Sequence, residues 1–172
     1  MPTGGFEWID VTEREKWAEF ILQQHDEQEE GYMLEVDLEY PDELHDIHDN
    51  FPCAPEKMKI KKCYLSENQK QMGEKIGETY KTEKLCLTLE NKVKYKVHYR
   101  NLKLYLDLGL RLTKIHSVLK FNQSPWLRPY IDLNTKLRQD ATNSFEVSLY
   151  KLMNNSFFGK TCEDVKKYCN VK

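Results

Sequence analysis

Three carboxylates stand at every second position in the stretch from Tyr32 to Tyr40: Glu35, Asp37 and Glu39. The stretch alternates with period two, placing Tyr32, Leu34, Val36 and Leu38 on one strand face and Met33, Glu35, Asp37 and Glu39 on the other. Side chains two apart on an extended chain lie about 6–7 Å from one another. Three carboxylates so arranged repel and raise one another's pKa unless cations or water compensate. Two readings follow. The row is the solvated face of an edge strand, where charge also blocks pairing with other chains. Alternatively it is a divalent-metal site, because Mg²⁺ commonly takes one or two carboxylates together with substrate phosphates. A phosphate-binding element elsewhere in the chain decides between them.

The run Lys151 to Thr161 offers such an element. On a helix Lys151, Asn155 and Phe158 fall at i, i+4 and i+7, so an ammonium, an amide and an aromatic ring share a face. The ammonium suits triphosphate oxygens, and a flat ring beside it packs on a base. Gly159 permits close approach, Lys160 adds charge, and Lys136 and Arg138 lie upstream on the same long helix or its lead-in. The plainer reading is an ordinary helix with a solvated basic face. A further cluster, His45, His48 and Asp49 with Cys53 nearby, makes a zinc site conceivable, but its spacing fits no common four-ligand pattern.

The elements that must position these groups follow from pattern. Residues 1–11 read as a loose lead-in, and Thr12 with Glu15 forms a capping box before a short helix through Trp17, Phe20 and Ile21. After the carboxylate strand, Pro41 and the segment Phe51 to Pro55 mark turns. Residues 57–84 are Lys-rich and include an exposed loop. Leu85, Leu87 and Leu89, a turn at Glu90-Asn91-Lys92, and Val93, Tyr95, Val97 and Tyr99 predict a hairpin. Its second strand turns Lys94, Lys96, His98 and Arg100 to a basic face. Asn101 caps a helix to Leu110, a short strand covers Ile115–Phe121, and one long helix runs through Leu133, Leu137, Ala141, Phe145, Leu149 and Leu152. The mixture is α+β.

Composition narrows the classes. The 172 residues include 20 aromatic residues, enough to bury a core, so disorder over most of the chain is excluded. There is no run of apolar residues long enough to span a membrane, and the amino terminus has no signal-peptide pattern. Five cysteines without a C-x-x-C pair read as reduced thiols in an intracellular compartment. The net charge of −2 hides a split: residues 1–56 hold 17 Asp/Glu against Arg14 and Lys16, and residues 57–172 hold 24 Lys/Arg against 11 Asp/Glu. An acidic element that faces cations and a basic element that faces polyanions fit that split.

The string Lys151-x-x-x-Asn155-Ser156-x-Phe158-Gly159 resembles the fingers motif K-x-x-x-N-S-x-Y-G of family B DNA polymerases, with Phe158 in the Tyr place. Glu35 to Pro41 looks like a divergent form of the palm motif D-x-x-S-L-Y-P. With Leu119 to Leu127 (L-K-F-N-Q-S-P-W-L), the chain most resembles the protein-primed branch, as in virus-like Polinton transposons. The resemblance implies a partial polymerase palm of antiparallel strands in residues 31–56, after a lead-in at 1–30. An inserted strand-helix region would fill 57–124, and helical fingers 125–172. It implies that Lys151 holds nucleotide phosphates, with Lys136 and Arg138 adding charge, that Asn155 and Phe158 line the nascent base pair, and that Tyr40 lies under the sugar. Two Mg²⁺ or Mn²⁺ ions are implied at a palm carboxylate. Counting back from Tyr40 puts Glu35 in the usual ligand slot; Asp37 is the right residue type and is preferred, with Glu35 kept beside it. Lys94, Lys96, Arg100, Gly159 and Lys160 would contact DNA. The partners implied are template-primer, deoxynucleotides and a protein primer, with no membrane, and the nucleus is the compartment if the source is a eukaryotic mobile element.

No second aspartate motif of the Y-x-D-T-D kind follows residue 159, and no three-carboxylate proofreading segment precedes residue 31. The expectation is therefore a palm-and-fingers segment of a longer polymerase, inactive alone, since a two-metal centre normally draws carboxylates from both palm motifs. Two alternatives are a non-catalytic nucleic-acid-binding remnant and, ranked last, a metal-dependent nuclease centred on Glu35, Asp37 and Glu39.

Overall fold

The structure is a computed structural model of the chain and describes residues 1–11, 16–77 and 82–164. The capping box expected at Thr12 and Glu15, and Cys169, lie outside the described residues. Two compact units emerge, one spanning Pro2–Gln123 and the other Ser124 onward together with Met1.

In the first unit, strands β1 (Pro2–Ile9), β2 (Glu30–Glu39), β5 (Lys92–His98) and β6 (Arg111–Gln123) form an antiparallel sheet in the order β1-β6-β2-β5. Strands β3 (Glu56–Lys59) and β4 (Glu83–Cys86) pair separately. Helices α1 (Lys16–Gln23), α2 (Glu67–Lys75) and α3 (Tyr99–Asp107) complete the unit. The fold is α+β.

The alternation of β2 is realised: Tyr32, Leu34, Val36, Leu38 and Tyr40 are all buried. They pack with Ile21 of α1, Tyr99 and Leu102 of α3, Val97 of β5 and Ile115 and Val118 of β6. Edge-on aromatic contacts knit α1 to the sheet, with Phe20 5.4 Å and Trp17 6.2 Å from the Tyr32 ring. Burial pushes the Tyr32 hydroxyl pKa up to about 12, reinforced by its hydrogen bond to Glu30. Each fully buried large side chain contributes about 1.5–3 kcal/mol. Gly109 ends α3 at φ +102°, a conformation that any Cβ would strain, and returns the chain into β6.

Several expectations change. The lead-in is strand β1, paired along β6. The predicted hairpin does not form: β4 pairs with β3, and β5 runs along β2. Leu85 and Leu87 stay exposed, whereas the edge of β2 gives Tyr95 and Val97 a core to enter. The Lys-rich stretch contains β3 and α2, the latter opened by a reciprocal capping box between Ser66 and Gln69. Helix α3 is capped by the His98 ring, which accepts from the Arg100 N–H, rather than by Asn101. The short strand predicted over Ile115–Phe121 is the thirteen-residue β6. The 57–124 region supplies two of the four main strands, β5 and β6, so it belongs to the same sheet as the carboxylate strand.

The second unit is a pair of helices, α4 (Arg128–Asp140) and α5 (Ser144–Thr161), not one long helix. The break falls at Ala141 to Asn143, and the Asn143 side chain caps α5 by accepting from the Glu146 N–H at 2.9 Å. The predicted stripe of Leu133, Phe145 and Leu152 is more than half exposed. The buried seam instead includes Asn134, whose amide donates to Asn154 Oδ1 at 2.8 Å, and Phe157, which meets Trp126 at 5.6 Å.

Candidate functional site

Strand β2 is paired on both sides, so its carboxylates do not protect an edge. Glu35, Asp37 and Glu39 share the face opposite the buried residues and meet cations across the ladder. Glu35 stands opposite Lys96 and Ser117, Asp37 opposite Lys114, and Glu39 opposite Arg111. Arg111 reaches Glu39 at 3.4 Å and Glu43 at 3.3 Å.

Asp37 differs from its neighbours. On β6 the register slips twice around it: His116 is extra between the partners of Glu35 and Val36, and Thr113 is extra between the partners of Asp37 and Leu38. On β5 the register slips between the partners of Val36 and Leu38, and there Lys94 has a positive φ of 53°. Bulges re-aim side chains and are frequent beside active sites. All three deliver a group to Asp37. The Lys94 backbone N–H donates to Oδ1 at 2.7 Å, His116 Nε2 meets the same oxygen at 2.7 Å, and Thr113 Oγ1 donates to the Asp37 carbonyl at 3.1 Å. An ionised carboxylate only accepts, so the His116 Nε2–H is the donor. The Lys94 N–H, then the His116 ring and the charge of Lys114, hold the Asp37 pKa below its ordinary value against partial desolvation. Both hydrogen bonds to the carboxylate fall on Oδ1, which leaves Oδ2 for another ligand. A cavity of about 370 Å³ opens here, lined by Asp37, Glu39, Asn91 and Thr113 among others.

Among the described residues no three His, Cys, Asp or Glu side chains gather as a closed metal cage. A cation held at this face would have to take one or two protein carboxylates and fill its shell with water or phosphate, which is the habit of Mg²⁺. Asp37 Oδ2 and the Glu35 carboxylate, on the same face, are the oxygens that could hold such an ion. His48 and Cys53 do not approach a metal arrangement; they serve Tyr40. The Cys53 N–H donates to the Tyr40 oxygen at 3.1 Å, and that hydroxyl in turn meets His48 Nδ1 at 2.7 Å. Tyr40 is only 3% exposed and follows β2 on its core side; it also lines, with Glu39, Asp42, Glu43 and Asn91 among others, a cavity of about 1010 Å³.

The residues expected to contact DNA are exposed. Lys94 and Lys96 lie on edge strand β5, and Arg100 opens α3 with its guanidinium 6.0 Å from the Tyr99 ring centre. In the second unit Lys151, Asn155 and Phe158 are exposed on α5, while Met153, Asn154 and Phe157 are partly buried. The shared face predicted from i, i+4, i+7 spacing is thus turned away from the α4 seam. Lys136 and Arg138 are exposed on α4, a different helix from Lys151. Nothing lies within 4 Å of a Cβ built on Gly159, and Lys160 pairs with Glu163. Sequence reasoning missed His116, Thr113 and the Lys94 backbone as partners of Asp37. No family model, curated protein or solved structure matches the chain.

Proposed function

We propose that the chain is the palm-and-fingers part of a DNA-directed DNA polymerase, which extends a primer 3′ hydroxyl with deoxynucleotides by two-metal phosphoryl transfer. The observation that carries this reading is the Asp37 carboxylate, fixed by bulges of both neighbouring strands with Oδ2 open and Glu35 on the same face. Bound divalent ions would supply the charge that activates the primer hydroxyl and stabilises pyrophosphate. The chain's own residues hold the reactants. Asp37 and Glu35 present oxygens, Lys151 takes triphosphate oxygens, and Asn155 and Phe158 offer an amide and a ring to the base pair. Lys94, Lys96 and Arg100 suit a phosphate backbone. The Tyr40 ring, being buried, holds the turn after β2 through His48 and Cys53.

Replacing Lys151 by Ala in the full-length gene product tests the nucleotide half. A charged hydrogen bond to phosphate is worth about 1.5–3 kcal/mol, so kcat/KM for the incoming deoxynucleotide should fall about 10- to 100-fold, with primer-template affinity little changed. Unaltered nucleotide kinetics would remove Lys151 from the site.

A second reading, a nucleic-acid-binding element without catalysis, draws on the cations that already face Glu35 and Glu39. It requires DNA retention that weakens steeply with salt and is indifferent to Asp37→Asn.

A further inference from the structure

We infer that His116 is a positioning residue for Asp37, holding Oδ1 so that Oδ2 faces a divalent cation; this rests on the metal reading above. His116 occupies the extra position of a bulge. In a regular strand, residues 115 and 118 would face opposite sides. The bulge lets both Ile115 and Val118 enter the core, at 2% and 0% exposure, and places the intervening His116 on the carboxylate side. On the opposite flank Lys94 adopts a left-handed backbone, which strains a residue with a Cβ, and its N–H reaches the same oxygen. Distortions in two strands thus serve one atom. Glu39 receives no such treatment; a partly exposed arginine meets it at 3.4 Å. Partners of this kind fix the orientation of ligating carboxylates, and their loss typically weakens metal affinity about 10- to 100-fold.

The test uses the full chain, ¹⁵N-labelled and titrated with MnCl₂, and reads paramagnetic broadening of the Lys94 amide, which reports on Asp37 directly. Selective broadening is expected in the wild type and should vanish in Asp37→Asn. His116→Leu and His116→Ala, both lacking the donor, should need about tenfold more Mn²⁺, while His116→Gln, which keeps an N–H donor, should bind close to wild type. Broadening that is lost in Asp37→Asn but unaltered in folded His116→Leu or His116→Ala would leave the metal reading standing and overturn the role of His116. Loss of affinity in His116→Gln equal to that in His116→Leu would also overturn it, because the donated hydrogen bond would then be irrelevant. Absence of selective broadening in the wild type would overturn both.

Discussion

Asp37→Asn in the full-length gene product is expected to lower Mg²⁺-dependent nucleotide incorporation about a thousandfold, whereas Glu35→Gln lowers it less than about tenfold. The first figure corresponds to about 4 kcal/mol of barrier, the scale on which a bound metal stabilises transition-state charge. The asymmetry comes from the structure. Asn keeps the shape of Asp37 and one oxygen, yet it gives up the charge that the Lys94 N–H and His116 hold in place. Glu35 stands opposite Lys96 where the β2–β5 ladder is regular, and the β6 bulge beside it delivers its histidine to Asp37 instead. Single-turnover incorporation on a primed template measures both. Equal losses in the two variants would return Glu35 to the central position that its place in the motif suggests, and full activity in Asp37→Asn would remove the carboxylate centre.

Lys92→Ala is expected to destabilise the first unit by about 3 kcal/mol, the largest effect foreseen on stability. The Lys92 side chain is fully buried, and its ammonium donates to Glu56 Oε1 at 2.9 Å, to the Thr88 carbonyl at 3.2 Å and to the Thr88 hydroxyl at 2.5 Å. All three donors are used, and they fasten β3 to β5. Removing the cation strands a half-buried carboxylate and a carbonyl, although Glu56 at 31% exposure recovers some hydration. Lys92→Met with Glu56→Leu removes both charges and should lie within about 1 kcal/mol of wild type. Urea denaturation followed by circular dichroism separates these cases. A single variant as stable as wild type would show that the pair holds nothing in place.

The carboxylate row was legible because it depends on one strand and a period of two. What makes Asp37 distinct was not, because it depends on register. The partners of β2 come from β5 and β6, more than fifty residues downstream, and a one-residue slip at His116 or Lys94 leaves no local mark in the sequence. Lys92 read as a turn residue for the same reason: its burial is set by Glu56 and Thr88, brought in by another sheet. The helix break had a signal that the leucine spacing outweighed. Asn143 with Glu146 three residues on is a capping pattern, and so is Ser66 with Gln69 ahead of α2. The face shared by Lys151, Asn155 and Phe158 was legible, since helical periodicity alone fixes it. The burial of Tyr40 was legible too, since even spacing from Tyr32 puts it on the core side of β2, a parity visible in the alternation.

Template-directed extension of a primer is the most direct measurement of the central claim. Full-length gene product, a primed template with one defined base to copy, Mg²⁺ and each deoxynucleotide in turn suffice. Extension by the complementary nucleotide alone, abolished by chelation and by Asp37→Asn, is the predicted result. No extension with any nucleotide, or extension that ignores the template base, would contradict a polymerase.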